Sequence, residues 1–234
     1  MKRFVVEYVA KRIAGDIVFS GDVGEALRKW RELFGVTQSE LARAMGVSPS
    51  VLSEYERGKR VPGTRFVRRF VEALIRIDEA RGFEVIKRLA GALYRISDAV
   101  IDLREFENPL SLDEIVTAVE GYIVNTSFTP RPVFGYTIID AIAAIVTMRG
   151  NDFWLLMGMT TERALIFTNV SSGRSPLVAV RVAPVKPAAV VIHGPRKNVD
   201  TLAIVLADVE RIPLIVSTAD RIEDVAEKLR KLAA

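Results

Sequence analysis

The segment GVTQSELARAMGVSPSVLSEYERGKR, which runs from Gly35 to Arg60, carries the clearest structural signal in the first part of this chain. Its spacing predicts two short helices joined by a tight turn, and the second helix opens on polar residues and closes on basic ones. A DNA-reading helix-turn-helix needs this layout, because one helix crosses the backbone while the next enters the major groove. The stretch therefore predicts a nucleic-acid-binding protein.

The first of the two helices carries its own start and stop signals. Thr37 is a good N-cap, and Glu40 three residues later completes a capping box. We therefore expect the helix to begin at Gln38. Gly46 can take a positive φ angle at the point where the helix must stop.

The second helix is bounded in the same way. Ser48 is a second N-cap, Pro49 stands at the first helical position, where its missing N–H costs nothing, and Gly58 ends the helix. Apolar residues on its inner side are Val51, Leu52 and Tyr55. The polar residues that face away are Ser50, Ser53 and Glu54.

These residues resemble the XRE family of helix-turn-helix regulators, which includes the phage repressors, in its archaeal two-domain form. The matching positions are Gln38, Ala42, Gly46, Ser48, Tyr55, Glu56, Gly58 and Lys59. The resemblance covers roughly residues 24–79 and implies a five-helix domain with double-stranded DNA as its partner. It also implies that Gln38 contacts the DNA backbone and braces the groove-facing side chains. Where many relatives carry Gln or Arg in the groove, this chain has Ser50 and Glu54.

A basic run follows the second helix, and the formal net charge of +4 lies wholly in residues 1–110. Basic residues at this position are well placed to bind phosphates on either side of the groove. We expect Lys59, Arg60 and Arg65 to do so, and Ser48, Ser50, Ser53 and Glu54 to lie nearest the base edges. The complete predicted DNA-binding set is Thr37, Gln38, Ser48, Pro49, Ser50, Ser53, Glu54, Arg57, Lys59, Arg60 and Arg65.

Composition sets outer limits on the function. A chain of 234 residues, half of them apolar, suits two compact domains. The absence of cysteine excludes disulfides and thiolate zinc sites, and a single histidine makes a histidine-based metal site implausible, so we expect no metal or cofactor. No apolar run approaches about twenty residues and no signal peptide is evident, so we expect a cytoplasmic protein without a membrane partner.

The chain divides into four predicted parts. Residues 1–20 form a helical leader, and residues 21–80 form the helix-turn-helix domain. Residues 81–120 form a helical linker, in which apolar residues from Arg81 to Phe106 recur at steps of three and four. That stripe is either ordinary core or a dimer seam. Residues 121–234 form an α/β domain for dimerisation or ligand sensing.

The fold class is therefore an α-helical DNA-binding domain followed by a small α/β domain with a parallel sheet. Its clearest elements are strand Ala188–Ile192, helix Val199–Val209, strand Leu214–Ser217 and helix Ile222–Leu232. Earlier strands are predicted at Tyr122–Asn125, Val133–Tyr136 and, as a hairpin, Ala164–Asn169 with Leu177–Val182. Helices are predicted at Ile138–Thr147, with Asp140 as a candidate buried carboxylate, and at Asp152–Gly158.

Two loops of this half could hold an anion. The loop from His193 to Asn198 joins a strand to a helix, where backbone N–H groups favour negative charge. It lacks both nucleotide-binding glycine motifs, so an ordinary turn, with His193 as a packing residue, stays an alternative. The loop Ser171–Ser175 is either a second anion cradle or a solvated hairpin loop. The candidate anion-binding residues are Arg174, His193, Arg196 and Lys197.

The sequence thus predicts a transcriptional regulator that binds double-stranded DNA as a homodimer, with an α/β domain that dimerises, senses a small anionic effector, or does both. No catalytic constellation is evident, so we do not expect an enzyme. Two alternatives stay open. One is an enzyme or ligand-binding α/β domain with an accessory DNA-binding domain, and the other is an adapter that bridges proteins.

Overall fold

The computed structural model describes residues 1–158, 162–195 and 198–233. The chain forms two compact units, Met1–Tyr94 and Arg95–Ala234. Within the described residues, no helix combines the length and the hydrophobicity that crossing a membrane requires.

The first unit is helical. Its helices are α1 (Arg3–Val18), α2 (Val23–Leu33), α3 (Gln38–Met45), α4 (Pro49–Glu56), α5 (Thr64–Ala80), α6 (Glu84–Ala90) and α7 (Ala92–Ile96), the last of which extends past the unit boundary. Helix α1 packs against α2, α5 and α6. It does so through Val5, Val9, Ile13 and Ile17, which are fully buried at four-residue steps, whereas Tyr8 is 40% exposed.

The predicted boundaries of the helix-turn-helix are confirmed. Helix α3 begins at Gln38, its cap Thr37 accepts a hydrogen bond from the Glu40 N–H at 3.2 Å, and it ends at Gly46 with φ of 66°. Helix α4 begins at Pro49 behind the Ser48 cap. The Glu40 carboxylate, predicted to close a capping box, accepts a hydrogen bond from Arg81 at 2.8 Å.

The long amphipathic helix predicted from Arg81 to Phe106 is wrong. Gly91, with φ of 55° and ψ of −120°, separates α6 from α7, and strand β1 (Val100–Leu110) follows. Irregularities in the pairing of β1 break the usual alternation, so its buried residues recur at steps of three and four, as on a helix. These residues are core of a single chain, not an open dimer seam: Val100, Leu103, Phe106 and Leu110.

The second unit is built on a six-stranded sheet in the order β1-β3-β4-β5-β6-β2. The remaining strands are β2 (Gly121–Ile123), β3 (Val133–Asp140), β4 (Arg163–Thr168), β5 (Ala189–His193) and β6 (Leu214–Ser217). The four central strands are parallel, and the edge strands β1 and β2 pair antiparallel with their neighbours. The predicted fold class is confirmed.

Within the described residues, six helices accompany this sheet: α8 (Leu112–Ala118), α9 (Ala141–Thr147), α10 (Gly150–Gly158), α11 (Arg174–Val182), α12 (Thr201–Glu210) and α13 (Ile222–Leu232). The strand predicted at Leu177–Val182 is wrong, because this segment belongs to α11. Strands β4 and β5, which α11 connects, are parallel. A parallel pair needs a crossover connection over one face of the sheet, so a hairpin is impossible here. The helix predicted from Ile138 is also shortened, since β3 runs to Asp140, whose carboxylate caps α9.

The two faces of the sheet are covered by different helices. Strands β3 to β6 follow one another in space as in sequence, so right-handed crossovers place α9 to α12 on one face. On the other face, residues of α8 and α13 share a core cluster with the strands. Members of that cluster include Ile115, Tyr136, Ile166, Val191, Ile215, Val225 and Leu229.

Candidate DNA-binding site

Helix α4 presents a polar N-terminus to solvent. Ser48, Pro49 and Ser50 are exposed, and the Ser48 and Ser50 hydroxyl oxygens lie 2.8 Å apart. Ser53 and Glu54 are half-buried further along the helix. The N–H groups of the first turn and the positive end of the helix dipole favour a phosphate or a base-edge acceptor at this end.

The inner end of α4 is held by a buried ionic network. Glu56, whose side chain is 2% exposed, binds Arg31 of α2 in a bidentate pair, with Nε–Oε1 at 2.7 Å and Nη2–Oε2 at 3.0 Å. The Gln38 amide donates to the same Oε2 atom at 2.7 Å, and Arg31 also donates to the Val36 carbonyl. Three helices are therefore joined at one carboxylate.

This network gives Gln38 a defined place in the free protein. Its amide nitrogen donates to Glu56, so the side chain is oriented at the N-terminus of α3.

Arg31 is a residue of this network that the sequence analysis did not identify. The signal was present, because Arg31 falls on the buried side of α2 with Leu27, Trp30 and the following Phe34. An arginine at a core position of a helix indicates a buried acidic partner.

Two of the predicted DNA contacts bind each other. The Arg60 guanidinium pairs with the Glu54 carboxylate at 2.7 Å, and their side chains are 54% and 40% exposed. Glu54 was the acidic departure from the family pattern, and this pair offsets its repulsion of phosphates. Arg60 must leave or share that carboxylate to bind a phosphate.

The basic run separates into cations with partners and cations without. Arg68 pairs with Glu72 at 2.8 Å, and the Arg69 guanidinium donates to the Met45 carbonyl at the end of α3. Among the described residues, no side-chain partner is found for three exposed cations: Arg57, Lys59 and Arg65. These three are therefore the most accessible to phosphates.

Close packing fixes α4 against its neighbours. The rings of Tyr55 and Phe66 lie 3.9 Å apart between α4 and α5. Gly24 at the start of α2 faces the end of α4, where a Cβ atom would lie 2.8 Å from the carbonyl oxygens of Tyr55 and Glu56. Only glycine allows this approach without a shift of backbone.

In the second unit, the candidate anion-binding residues are only partly brought together. The loops after β4 and β5 are joined by hydrogen bonds from Asp200 N to Ser172 O and from Val170 N to His193 O. Arg174 pairs with Asp200 at 2.8 Å, and Asp200 is also the N-cap of α12. Arg196 and Lys197 lie outside the described residues.

His193 is engaged through both ring nitrogens. Its Nδ1 lies 3.2 Å from the Thr168 hydroxyl and its Nε2 lies 3.1 Å from the Ala219 carbonyl. A carbonyl can only accept, so Nε2 donates to Ala219 and, in the neutral ring, Nδ1 accepts from Thr168. His193 therefore links the ends of three parallel strands.

A crevice opens beside this histidine. From the carboxyl end of β5 the chain passes to α12 on one face of the sheet, and from β6 it passes to α13 on the other. Such a divergence is where ligands bind in open α/β sheets. The cavity there has a volume of about 360 Å³ and is lined in part by Tyr122, His193, Gly194, Thr218 and Asp220.

The first unit thus has the fold and the site of a helix-turn-helix DNA-binding protein. Residues 27–77 match the family model described as helix-turn-helix. The chain is 48% identical over 224 residues to an HTH-type transcriptional regulator of Archaeoglobus fulgidus, covering 95% of this chain and 96% of that one. An HTH-type transcriptional regulator of Methanocaldococcus jannaschii is also 48% identical, over 92% of this chain and 91% of its own. The chain belongs to this family of XRE-type helix-turn-helix transcriptional regulators, as the resemblance implied.

The chain also has a weaker likeness to a solved structure. The CBS and DRTGG domains of the regulatory region of Clostridium perfringens pyrophosphatase, in complex with diadenosine tetraphosphate, align over 53% of this chain and 47% of theirs. The identity is 15% and the TM-score is 0.37. At that score the likeness carries no inference about this chain.

Proposed function

We propose that this transcriptional regulator reads specific DNA sequences as a homodimer, with α4 of each copy in the major groove. The observation that carries the proposal is the arrangement around α4. Its polar N-terminus is exposed at Ser48 and Ser50, exposed cations follow its end, and its inner side is fixed by the Arg31–Glu56 pair. A rigid helix with a polar tip and basic flanks suits direct readout between phosphate contacts.

The small size of the reading element supports the homodimer. One helix of eight residues, Pro49–Glu56, reaches few base pairs, and a single small module buries little surface on DNA. Two copies related by a two-fold axis would bind a palindrome whose half-sites lie about one helical turn apart. Selection of bound sequences from random duplex DNA tests this: we expect a symmetric motif, and enrichment of no motif would overturn sequence-specific reading.

Substitutions separate phosphate binding from base reading. Arg65→Ala should weaken binding to all sequences alike and lower the slope of log K against log salt by about 0.9 for each phosphate that is no longer neutralised. Arg68→Ala is the matched control, because Arg68 lies one turn along the same helix and is paired with Glu72. Ser50→Ala should change sequence preference and leave the salt slope intact. Equal effects of Arg65→Ala and Arg68→Ala would contradict the proposed phosphate binding by Arg65.

We further propose that a small anionic effector controls the regulator by binding at the carboxyl edge of the parallel sheet. The crevice at the ends of β5 and β6, which Gly194 helps to line, supports this. Arg174, the first residue of α11, pairs with Asp200 at the start of α12, after the loop that follows β5. An anion would compete with Asp200 for Arg174 and so loosen the link between the starts of α11 and α12.

Thermal unfolding with millimolar inorganic phosphate, pyrophosphate or ADP tests the effector proposal. At least one of these anions should raise the midpoint of unfolding, in proportion to ln(1 + [L]/Kd), and Arg174→Ala should remove the rise. The matched control is Arg181→Ala on the same helix, whose ion pair with Glu210 lies at its other end. If none of the three anions shifts the unfolding of the full chain, the anionic effector is rejected.

A further inference from the structure

The helices on one face of the second unit turn an apolar surface outward. Eight Val, Leu and Ile side chains on α9, α11 and α12 are between 43% and 77% exposed. We call these eight side chains together the helical apolar face. Its members are Ile142, Ile145 and Val146 on α9, Val178 and Val182 on α11, and Leu202, Val205 and Val209 on α12.

The helical apolar face is continuous across the helices. Helices α9 to α12 cover the same side of the sheet, and α11 packs directly against α12. Helices α9, α10 and α11 surround one groove of about 170 Å³, lined in part by Ile145, Phe153, Pro176 and Ala179. The exposed side chains therefore form one surface with ridges and a groove.

The described part of this face carries few charges, of which Arg149 lines the groove. Helix α9, AIAAIVT, has no charged residue. On α12, Asp208 accepts hydrogen bonds from Asn125, Thr126 and Ser127, and Glu210 pairs with Arg181 at 2.6 Å. Because Asp208 and Glu210 are already paired within the chain, they do not favour a charged partner for the helical apolar face.

The area of the face matches what a stable dimer buries. Eight aliphatic residues at these fractional exposures leave roughly 800 Å² accessible, whereas the largest apolar patch of a typical monomer is about 300–600 Å². A standard protein–protein interface buries about 800 Å² on each partner. Obligate homodimer interfaces are the more hydrophobic class, as this face is.

We propose that the helical apolar face is the homodimer interface, and that its occupant is the same face of a second copy. An isologous contact requires a self-complementary surface, and this one carries both a ridge at Ile145 and Val146 and a groove beside it. The inference deepens the proposed function and rests on it for the choice of a second copy as partner. It assigns dimerisation to the second unit and DNA reading to the first.

The oligomeric state of the full chain tests the proposal. Sedimentation should show a dimer for the wild type, and Val146→Glu should raise the dimer dissociation constant at least about 30-fold, because an apolar side chain in the interface is replaced by a buried charge. Phe19→Glu is the matched control: Phe19 is 91% exposed in the first unit, so that variant should remain dimeric. Val205→Thr tests the same face with a nearly isosteric change and should weaken the dimer by a smaller factor.

Site-specific cross-linking gives a second readout, because the chain contains no cysteine. Single cysteines placed at Ile145, Val178 or Val205 should yield a disulfide-linked dimer from at least one position on oxidation, and a cysteine at Phe19 should not. A monomeric wild type, or a Val146→Glu variant that stays fully dimeric and folded by circular dichroism, would overturn the proposal.

The proposal and the proposed function fail in distinguishable ways. If Val146→Glu is monomeric and loses affinity for the palindrome while retaining weak half-site binding, both stand. If the variant is monomeric yet binds the palindrome as tightly as the wild type, the interface stands and dimeric DNA reading is rejected.

Discussion

Replacement of Glu56 by alanine is the sharpest test of how the DNA-reading helix is held. The substitution removes the acceptor of the Arg31 guanidinium and of the Gln38 amide. The Arg31 side chain is 10% exposed, and its other carboxylate partner, Glu32 at 3.5 Å, is 54% exposed, so the Arg31 charge would lose its buried counter-ion. Breaking a buried ion pair from one side costs about 3–5 kcal/mol of unfolding free energy.

That magnitude is large for a small helical unit. Residues Met1–Tyr94 form a unit in the size range where 1 kcal/mol shifts the unfolding midpoint by about 4–8 °C. Glu56→Ala should therefore lower the midpoint of this unit by at least about 12 °C. The buried Trp30 reports on the unit, and a Trp154→Phe background makes it the sole tryptophan of the chain.

A matched control lies on α5. Glu72→Ala removes the partner of Arg68, but those side chains are 51% and 81% exposed, and an exposed i, i+4 pair contributes about 0.3–0.5 kcal/mol. Replacing both buried partners together, Arg31→Met with Glu56→Leu, should recover about 2 kcal/mol or more relative to Glu56→Ala, since no charge is left buried. If Glu56→Ala and Glu72→Ala lose the same free energy of unfolding in urea, the buried Arg31–Glu56 pair does not hold α4 as described.

Two further stability predictions concern the first unit. Gly24→Ala should lower the free energy of unfolding by about 1–3 kcal/mol, because its Cβ atom would lie 2.8 Å from the α4 backbone. Gly15→Ala meets nothing within 4 Å and should stabilise α1 by about 0.5–1 kcal/mol. Urea unfolding compares the two variants. A hydrogen bond from Lys29 lowers the pKa of Asp16 below its ordinary value of 3.8. The ionised Asp16 carboxylate therefore stabilises the fold above pH 3.8, and this stabilisation is lost as the pH falls through the pKa of Asp16 in the folded protein. Asp16→Asn should consequently be less stable than the wild type at pH 7. The difference between the two should shrink at about pH 3, and a difference independent of pH would show that the ionised carboxylate is not its source.

The helix-turn-helix could be predicted from the sequence because its boundaries depend on local chemistry. The caps Thr37 and Ser48 each bind an N–H three residues away, and Gly46 adopts its left-handed conformation through its own lack of a side chain. Both partners of each such interaction fall within a window of about ten residues, so the sequence pattern is enough to recognise them.

The second unit was harder to predict because its elements depend on distant partners. The bulged strand β1 imitates a helical repeat, and its pairing with β3 joins Val100 to Ile139 and Leu110 to Val133. Short apolar runs such as Leu177–Val182 fit a strand or a buried helix equally well. The sheet order settles such ambiguities, and it is a property of the whole unit.

The amino-acid sequence is sufficient to identify the helix-turn-helix, the start and end of its two central helices, and the α/β unit that follows. Which charged side chains are available to bind DNA depends instead on the tertiary contacts. Arg31 and Glu56 are 25 residues apart and share no local pattern, and Arg60 is matched with Glu54 while Arg65 has no side-chain partner among the described residues. Backbone caps act over three or four residues, but ion pairs and buried faces depend on which distant segments the fold brings into contact.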